Sequence, residues 1–265
     1  MSQFQKMLGV LMLLLSGTGA AWAQDASPIC SDRPGRNTGT CTPGAGTVQL
    51  ELGLFDGTFQ RRDGITSDLY VYSAPMLKYG ITDSWDIEGG LPLYQQTRTH
   101  GTDFTATQSG IGDFVLSSQW NFLAAQSFTM AVRPYVKLPT ADDGLGNGAM
   151  EEGVLVPMAY DLGGGWGVAS TPEVDVLLDA SGRGRHARLI DVLGLTRAVG
   201  SGITLGAEIW TAQNFDPIGT ASQYTFDLTA AWLMDNDTQF DAGVNLGLNK
   251  PTPDLEIYAG ISRRF

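Results

Sequence analysis

Ionisable side chains recur at every second position along much of this chain, with apolar side chains between them. Such alternation places the charges on one face of a β-strand and the apolar residues on the other face. Charges gathered on one face could line a water-filled path that selects solutes, or they could pair with one another as a structural network. The sequence leaves both interpretations open.

The predicted charged face is rich in acid. Its acidic members are Glu51, Asp68, Asp86, Glu88, Asp113, Glu173, Asp175, Glu208, Asp227, Asp241 and Glu256, and its basic members are Lys78, Arg133, Lys137 and Arg264. The same alternation places the rings of Tyr70, Tyr72, Tyr94, Tyr135, Trp210 and Tyr258 on this face. Aromatic rings there would offer stacking surfaces to a solute, although plain packing explains them equally simply. The predicted substrate path consists of Glu51, Tyr70, Tyr72, Lys78, Glu88, Asp113, Arg133, Tyr135, Lys137, Glu173, Glu208, Trp210 and Tyr258.

Residues for catalysis or metal binding are scarce by comparison. The only histidines are His100 and His186, which lack zinc-ligand spacing, and no Gly-x-Ser-x-Gly turn is present. Asp142, Asp143 and Asn147 lie among glycines, but their spacing does not match an EF-hand calcium loop, and a solvated turn is the simpler interpretation. We therefore expect no catalytic residue, no metal and no cofactor.

The first 23 residues predict an export signal. Lys6 precedes an apolar run from Leu8 to Leu15, and Ala21-Trp22-Ala23 forms a cleavage site before Gln24. The apolar run is too short for a membrane-spanning helix, which needs about 20 apolar residues. Neither cysteine directly follows the run, so a lipid anchor is not expected.

Residues 24–46 are predicted to form a periplasmic N-terminal segment, either an extension or a partial plug. Cys30 and Cys41 fall in this Pro-, Gly-, Ser- and Thr-rich stretch. Two nearby cysteines in an oxidising compartment favour a disulfide over a metal site.

The charge balance argues against nucleic acid as a partner. The whole chain has a net charge of −12, and loss of Lys6 with the signal makes it −13. Such acidity opposes binding to a polyphosphate.

The elements that must position the charged face are strands. From Thr47 to Phe265 we count about twelve alternating runs, an even number as bacterial outer-membrane barrels require. Tight turns alternate with generally longer polar loops, and the predicted long loops include Gln95–Ser109 and Pro139–Glu152. We therefore predict that residues 47–265 form an all-β, antiparallel transmembrane barrel with periplasmic termini. A secreted soluble β-sandwich is the alternative.

One strand has an ambiguous orientation. Apolar residues fall on both faces of residues 187–199. Placing Asp191 and Arg197 inward, with Ile190, Val192 and Ala198 on lipid, avoids lipid-facing charges.

Several segments resemble one protein family. They are residues 79–87, residues 110–113, residues 136–148 and the ending from Pro253 to Phe265. Together they are similar to the family called "Putative MetA-pathway of phenol degradation", whose members are transporter-like outer-membrane barrels. The resemblance implies passage of aromatic or other hydrophobic small molecules across the outer membrane.

The functional expectation is a non-enzymatic channel of the bacterial outer membrane, monomeric or weakly oligomeric. Its partners would be outer-membrane lipid, small-molecule solutes and the barrel assembly machinery, reached through the terminal Phe265. The alternatives are an outer-membrane lipid hydrolase and a closed structural or adhesive barrel that acts through its two long loops.

Overall fold

The protein is built from β-strands, as a computed structural model that describes residues 27–265 shows. The predicted signal at residues 1–23 lies outside the described residues. The strands are β1 (Val48–Arg62), β2 (Ile65–Thr82), β3 (Trp85–Gly90), β4 (Tyr94–His100), β5 (Thr105–Gly110), β6 (Phe114–Ala124), β7 (Phe128–Leu138), β8 (Glu151–Leu155), β9 (Met158–Gly163), β10 (Trp166–Ser170), β11 (Glu173–Leu178), β12 (Arg185–Gly200), β13 (Ile203–Asn214), β14 (Ala221–Asp235), β15 (Thr238–Gly247) and β16 (Leu255–Arg264). From residue 27 onward, no helix is long and apolar enough to cross a membrane.

These segments make a closed antiparallel barrel of twelve strands. Four of the twelve are interrupted and consist of β3 with β4, β5 with β6, β8 with β9, and β10 with β11. The barrel closes because β1 pairs with both β2 and β16. Closure leaves no unpaired sheet edge, so backbone polar groups are satisfied within a bilayer. The predicted fold class is confirmed.

Proline accounts for three of the four interruptions. Pro92, Pro157 and Pro172 lie at the breaks, and proline has no backbone N–H to donate to a ladder. Backbone bonds still cross the breaks: the Gly112 amide donates to the Pro92 carbonyl, and the Val156 amide donates to the Pro172 carbonyl, each at 2.9 Å. The two segments of each interrupted strand therefore act as one strand of the barrel wall.

The outer surface is apolar and the interior is polar, the reverse of a soluble protein. Leu193 is 57% exposed and Trp120 is 55% exposed, whereas Lys78 is 1% exposed and Gln119 is fully buried. Trp85 and Trp120 are paired neighbours beside a tight turn, and Trp166 and Trp232 also lie beside tight turns. These positions fit an interfacial aromatic girdle.

The predicted loop Gln95–Ser109 was wrong, because most of it is the hairpin of β4 and β5, with only residues 101–104 as a loop. Threonine favours strands, and it recurs at Thr97, Thr99, Thr105 and Thr107. Most of β5 is exposed, so the hairpin lacks the apolar face by which the other strands were recognised.

Candidate functional site

The central feature of the lumen is a buried network of opposite charges. The Lys78 Nζ atom lies 2.7 Å from Glu51 Oε1 and 3.7 Å from Glu88 Oε1. The Arg133 Nη2 atom lies 3.1 Å from the same Glu88 oxygen. All four side chains are less than a tenth exposed, so these predicted path residues do meet inside the barrel.

A second part of the lumen is filled by the N-terminal segment itself. Cys30 and Cys41 form a disulfide that closes a loop, which we call the plug loop (residues 30–41). Asp32 in this loop lies 2.6 Å from Lys78 Nζ and 2.7 Å from Arg133 Nη1. Of the two arrangements left open by the sequence, these contacts support the plug.

The plug loop contacts the inner wall on many strands. Arg33 Nη2 donates to Asp241 Oδ1 at 2.8 Å, and Arg36 binds Glu256. Further contacts, in chain order, are the Arg36 amide with Glu208 at 2.8 Å, the Thr38 amide with Thr171 at 3.1 Å, Thr40 with Thr129 at 2.6 Å, and the Cys41 carbonyl with Gln119 at 2.7 Å. The loop therefore follows the wall from β16 around to β6.

A separate set of charges lies in the lumen nearer the end of the barrel that carries the long loops. Lys137 Nζ lies 3.1 Å from Asp113 and 2.9 Å from Glu151. The Tyr135 hydroxyl donates to Asp175 at 2.7 Å, and Arg188 pairs with the same carboxylate at 2.8 Å. Glu173 shares this inner face, because it lies two residues before Asp175 on β11.

Two of the predicted aromatic lumen residues contact arginine side chains of the plug loop. Arg36 lies 4.7 Å from the centre of the Trp210 ring, and Arg33 lies 5.8 Å from the centre of the Tyr258 ring. Cations are attracted to the faces of aromatic rings at such distances. The rings therefore help to hold the plug loop in place.

Tyr70 and Tyr72 were predicted inward, but the structure places both on the outer face. Tyr72 packs on Phe55 at 5.5 Å between ring centres, and Tyr70 packs on Phe59 at 5.8 Å. Tyr94, which packs on Tyr72, and Asp68, whose backbone is paired with that of Phe59, share this outer face.

The cause of this inversion is an irregularity on paired strands. A bulge at Leu54 interrupts the register between β1 and β16, and Ser73 on β2 has a positive φ of 57°. An extra residue in a strand exchanges its two faces beyond that point. Asp56, which strict alternation places on lipid, consequently faces the lumen, paired with Tyr258.

The predicted orientation of residues 187–199 was also reversed. Val192 is 2% exposed and faces the lumen, whereas Leu193 is 57% exposed on the outside. Asp191 faces outward and accepts a hydrogen bond from Ser170 at 3.0 Å, and Arg197 stacks on Trp166 beside a tight turn. The charge argument failed because each outward charge has a local partner.

Sequence reasoning missed several lumen residues. The missed residues are Asp32, Arg33, Arg36, Gln49, Asp56, Gln119, Arg188 and Asn245. The plug-loop residues lie outside any strand, and Asp56 is hidden by the bulge. Gln49 and Gln119 lie at positions that the alternation places on the lumen face. A search for amide as well as charged side chains on that face would have identified them.

At the loop end of the barrel, His186 meets two acids that lie far apart in sequence. Its Nδ1 atom lies 2.9 Å from Asp179 Oδ1 and 3.6 Å from Asp216 Oδ2. The three groups have the ligand types of a metal site. The Ala180 and Ile218 amides donate to Asp216 and hold the pKa of that carboxyl below its usual range. Asp216 thereby links the loop that contains Ala180 to its own loop.

A pH prediction follows from Asp216. Because its pKa is lowered on folding, its stabilising effect is present above the unfolded pKa of about 3.9 and is lost as the pH falls through the folded value. We expect hydrogen exchange at the Ala180 and Ile218 amides, corrected for intrinsic rates, to be equal at pH 7 and pH 5 and faster near pH 2. Asp216→Asn should remove most of this dependence, whereas Asp142→Asn in another loop should not. Unchanged protection near pH 2 would contradict the assignment.

The remaining histidine has no acidic partner among residues 27–265. His100 Nδ1 lies 2.8 Å from the Thr105 hydroxyl, on the exposed β4–β5 hairpin. Near His186, the Ser181 hydroxyl donates to the Arg183 carbonyl. Neither arrangement offers a serine activated by histidine.

Comparison with solved structures shows the same architecture in outer-membrane proteins. The COG4313 outer membrane channel from Pseudomonas putida F1 is similar, with a TM-score of 0.65, 16% identity and coverage of 84% of this chain and 96% of that chain. The β domain of the Bordetella autotransporter Brka has a TM-score of 0.55 at 13% identity, covering 83% of this chain and 100% of that chain. The NanC porin has a TM-score of 0.52 at 10% identity, covering 81% and 98%.

These likenesses show that the chain has the fold of a bacterial outer-membrane barrel. No curated protein matches the chain. The model of the family described as "Putative MetA-pathway of phenol degradation" matches residues 31–265, which include most of the plug loop and the whole barrel. The chain belongs to that family.

Proposed function

We propose that the protein is a channel for the passive passage of small molecules across the outer membrane. The observation that carries the proposal is the interior of the closed barrel, which is lined by ionisable and amide side chains. A polar lumen favours water and solutes, and its charges can discriminate between them.

The plug loop is the part of the structure that would control passage. It is joined to the wall by hydrogen bonds and ion pairs rather than by an apolar core. Polar contacts can exchange with water and with solutes at modest cost, because each is worth about 0.5–3 kcal/mol net. A solute path beside or through the plug loop is consistent with these contacts.

Aromatic and hydrophobic small molecules are the cargo that we infer. The family description names phenol degradation, and Tyr135, Trp210 and Tyr258 place aromatic surfaces inside the barrel. Outer-membrane lipid would contact the exposed apolar face. Phe265 would be recognised by the assembly machinery, since its side chain is 48% exposed.

The proposal is tested by reconstituting the purified protein in planar bilayers and in vesicles. We expect stepwise single-channel currents and faster entry of small solutes, with phenol measured against a sugar of similar mass. Loss of both signals when protein is omitted or heat-unfolded is the control.

A closed structural barrel is the competing interpretation, favoured by the dense ion pairing around Lys78 and Arg133. It predicts neither current nor flux from correctly folded protein. A lipid hydrolase predicts instead phospholipid cleavage that is lost in His186→Ala. Either result would reject the channel.

A further inference from the structure

A cavity of about 110 Å³ lies between the plug loop and the wall formed by β1, β15 and β16. Its lining includes Asp56, Asn245 and Glu256 from the wall, and Arg33 and Arg36 from the plug loop. A water molecule occupies about 30 Å³ of liquid. The cavity therefore suits a few waters or one small ion, and it is too small for an aromatic ring with its hydration.

The groups around this cavity have more negative than positive charge. Five carboxyl groups, those of Asp56, Glu208, Asp227, Asp241 and Glu256, surround the two guanidinium groups of Arg33 and Arg36. Among residues 27–265, Asp241 is the one carboxylate paired with Arg33, through contacts of 2.8–3.1 Å. Arg36 is shared between Glu256 and Asp227, the latter at 3.5 Å.

Asp56 has no cationic partner within 4 Å among residues 27–265. Its carboxyl group lines the cavity together with that of Glu256, and two adjacent carboxylates repel one another unless a cation or a proton lies between them. Glu208 likewise has no ion pair in the described part of the chain, since its oxygens accept from the Arg36 amide and the Asn37 side chain.

An independent observation at this cavity also points to a bound ligand. Asn245 lines the cavity and is only 2% exposed, and its buried side-chain oxygen has no hydrogen-bond partner among residues 27–265. A buried amide oxygen without a partner is costly, and it is satisfied by a donor or by a cation. Asn245 is paired with Glu256 across the β15–β16 ladder.

We propose that this cavity is a binding site for one small monovalent cation, an alkali-metal ion or a primary ammonium group, held by Asp56, Glu256 and Asn245. An ammonium group would donate to these three acceptors, and an alkali-metal ion would be coordinated by the same oxygens. The site deepens the proposed channel function, on which it rests for the access of solutes, because it gives the lumen a preference for cations.

The first experiment measures binding without requiring a current. Folded protein in detergent is heated in potassium chloride, methylammonium chloride or N-methylglucamine chloride at equal ionic strength. We expect potassium or methylammonium to raise Tm by at least about 2 °C over the bulky N-methylglucamine. If only potassium raises Tm, the site binds an alkali-metal ion; if only methylammonium raises it, the site binds an ammonium group.

Asp56→Asn is the test variant, because Asp56 makes no ion pair and the amide has nearly the same shape. It should lose the cation-dependent rise in Tm. Asp68→Asn is the matched control, since Asp68 lies on the outer face of the hairpin that joins β1 and β2, and it should keep the rise. Heat-modifiable gel migration verifies that both variants fold.

The second experiment measures selectivity as the reversal potential across a bilayer with a potassium chloride gradient. We expect the permeability ratio of potassium over chloride to fall by at least about tenfold in Asp56→Asn, the low end of the effect of like-charged walls on local counter-ion concentration. Currents without such a fall, together with equal Tm values in all three salts, would overturn the cation site and leave the channel standing. Absence of current from every form would overturn the channel, and the Tm series would then decide the site alone.

Discussion

Replacing Lys78 by methionine is expected to lower the free energy of unfolding by about 3–5 kcal/mol, the cost of breaking a buried ion pair on one side. The Lys78 Nζ atom lies 2.6 Å from Asp32 and 2.7 Å from Glu51, and the Lys78 side chain is 1% exposed. Arg133 still neutralises Asp32 and Glu88 in the variant. Glu51 is therefore the carboxylate left without a cation.

Urea unfolding in lipid vesicles, followed by tryptophan fluorescence, measures this loss. The control is Arg61→Met, which removes a guanidinium charge from an exposed pair with Asp68 and should cost no more than about 1 kcal/mol. Adding Glu51→Gln to the Lys78 variant should recover part of the loss, because the uncompensated charge is then removed. A loss no greater than that of the control would show that the central network is not needed for stability.

The twelve strands were predictable from sequence because the bilayer imposes one rule on most of the wall. Along β15, for example, Phe240, Ala242, Val244 and Leu246 must contact lipid, while Asp241 and Asn245 face the lumen. This period of two is visible without any tertiary information. The same rule gave the correct inward positions for Glu51, Lys78, Glu88, Arg133 and Glu208.

The faces of individual strands were less predictable, for two physical reasons. A bulge moves every later residue to the opposite face, and neither Leu54 nor Ser73 is a residue type that marks one. On β12 the lumen side is itself apolar at Val192, so polarity no longer distinguishes the two faces.

The position of the plug loop could not be derived from its own residues. Cysteine spacing predicted a disulfide, and the structure contains that bond. The wall partners of Arg33 and Arg36 lie about 200 positions later in the chain, on β15 and β16. Such contacts depend on barrel closure, which brings the C-terminal strands around to β1.

Release of the plug loop is expected to raise single-channel conductance strongly. The variant combines Cys30→Ser and Cys41→Ser with Arg33→Ala and Arg36→Ala. These changes remove the disulfide and the two arginine anchors and leave the ion pairs of Asp32 in place. Closing a loop of this size is worth about 3 kcal/mol, and each charge-assisted anchor is worth about 1.5–3 kcal/mol. Because each 1.4 kcal/mol changes a population ratio about tenfold, the undocked form should become dominant.

Single-channel recordings of the variant and the native protein in the same bilayer measure this change. The native protein should give small steps with rare large openings, and the variant should remain in the large state. Arg188→Ala is the matched control, because Arg188 pairs with Asp175 on the inner wall and its ion pair does not involve the plug loop. Loss of two guanidinium groups also leaves Asp227, Asp241 and Glu256 without their cations, so the enlarged current should be more cation-selective. Equal conductance in the variant and the native protein would mean that solutes pass by a route that the plug loop does not obstruct.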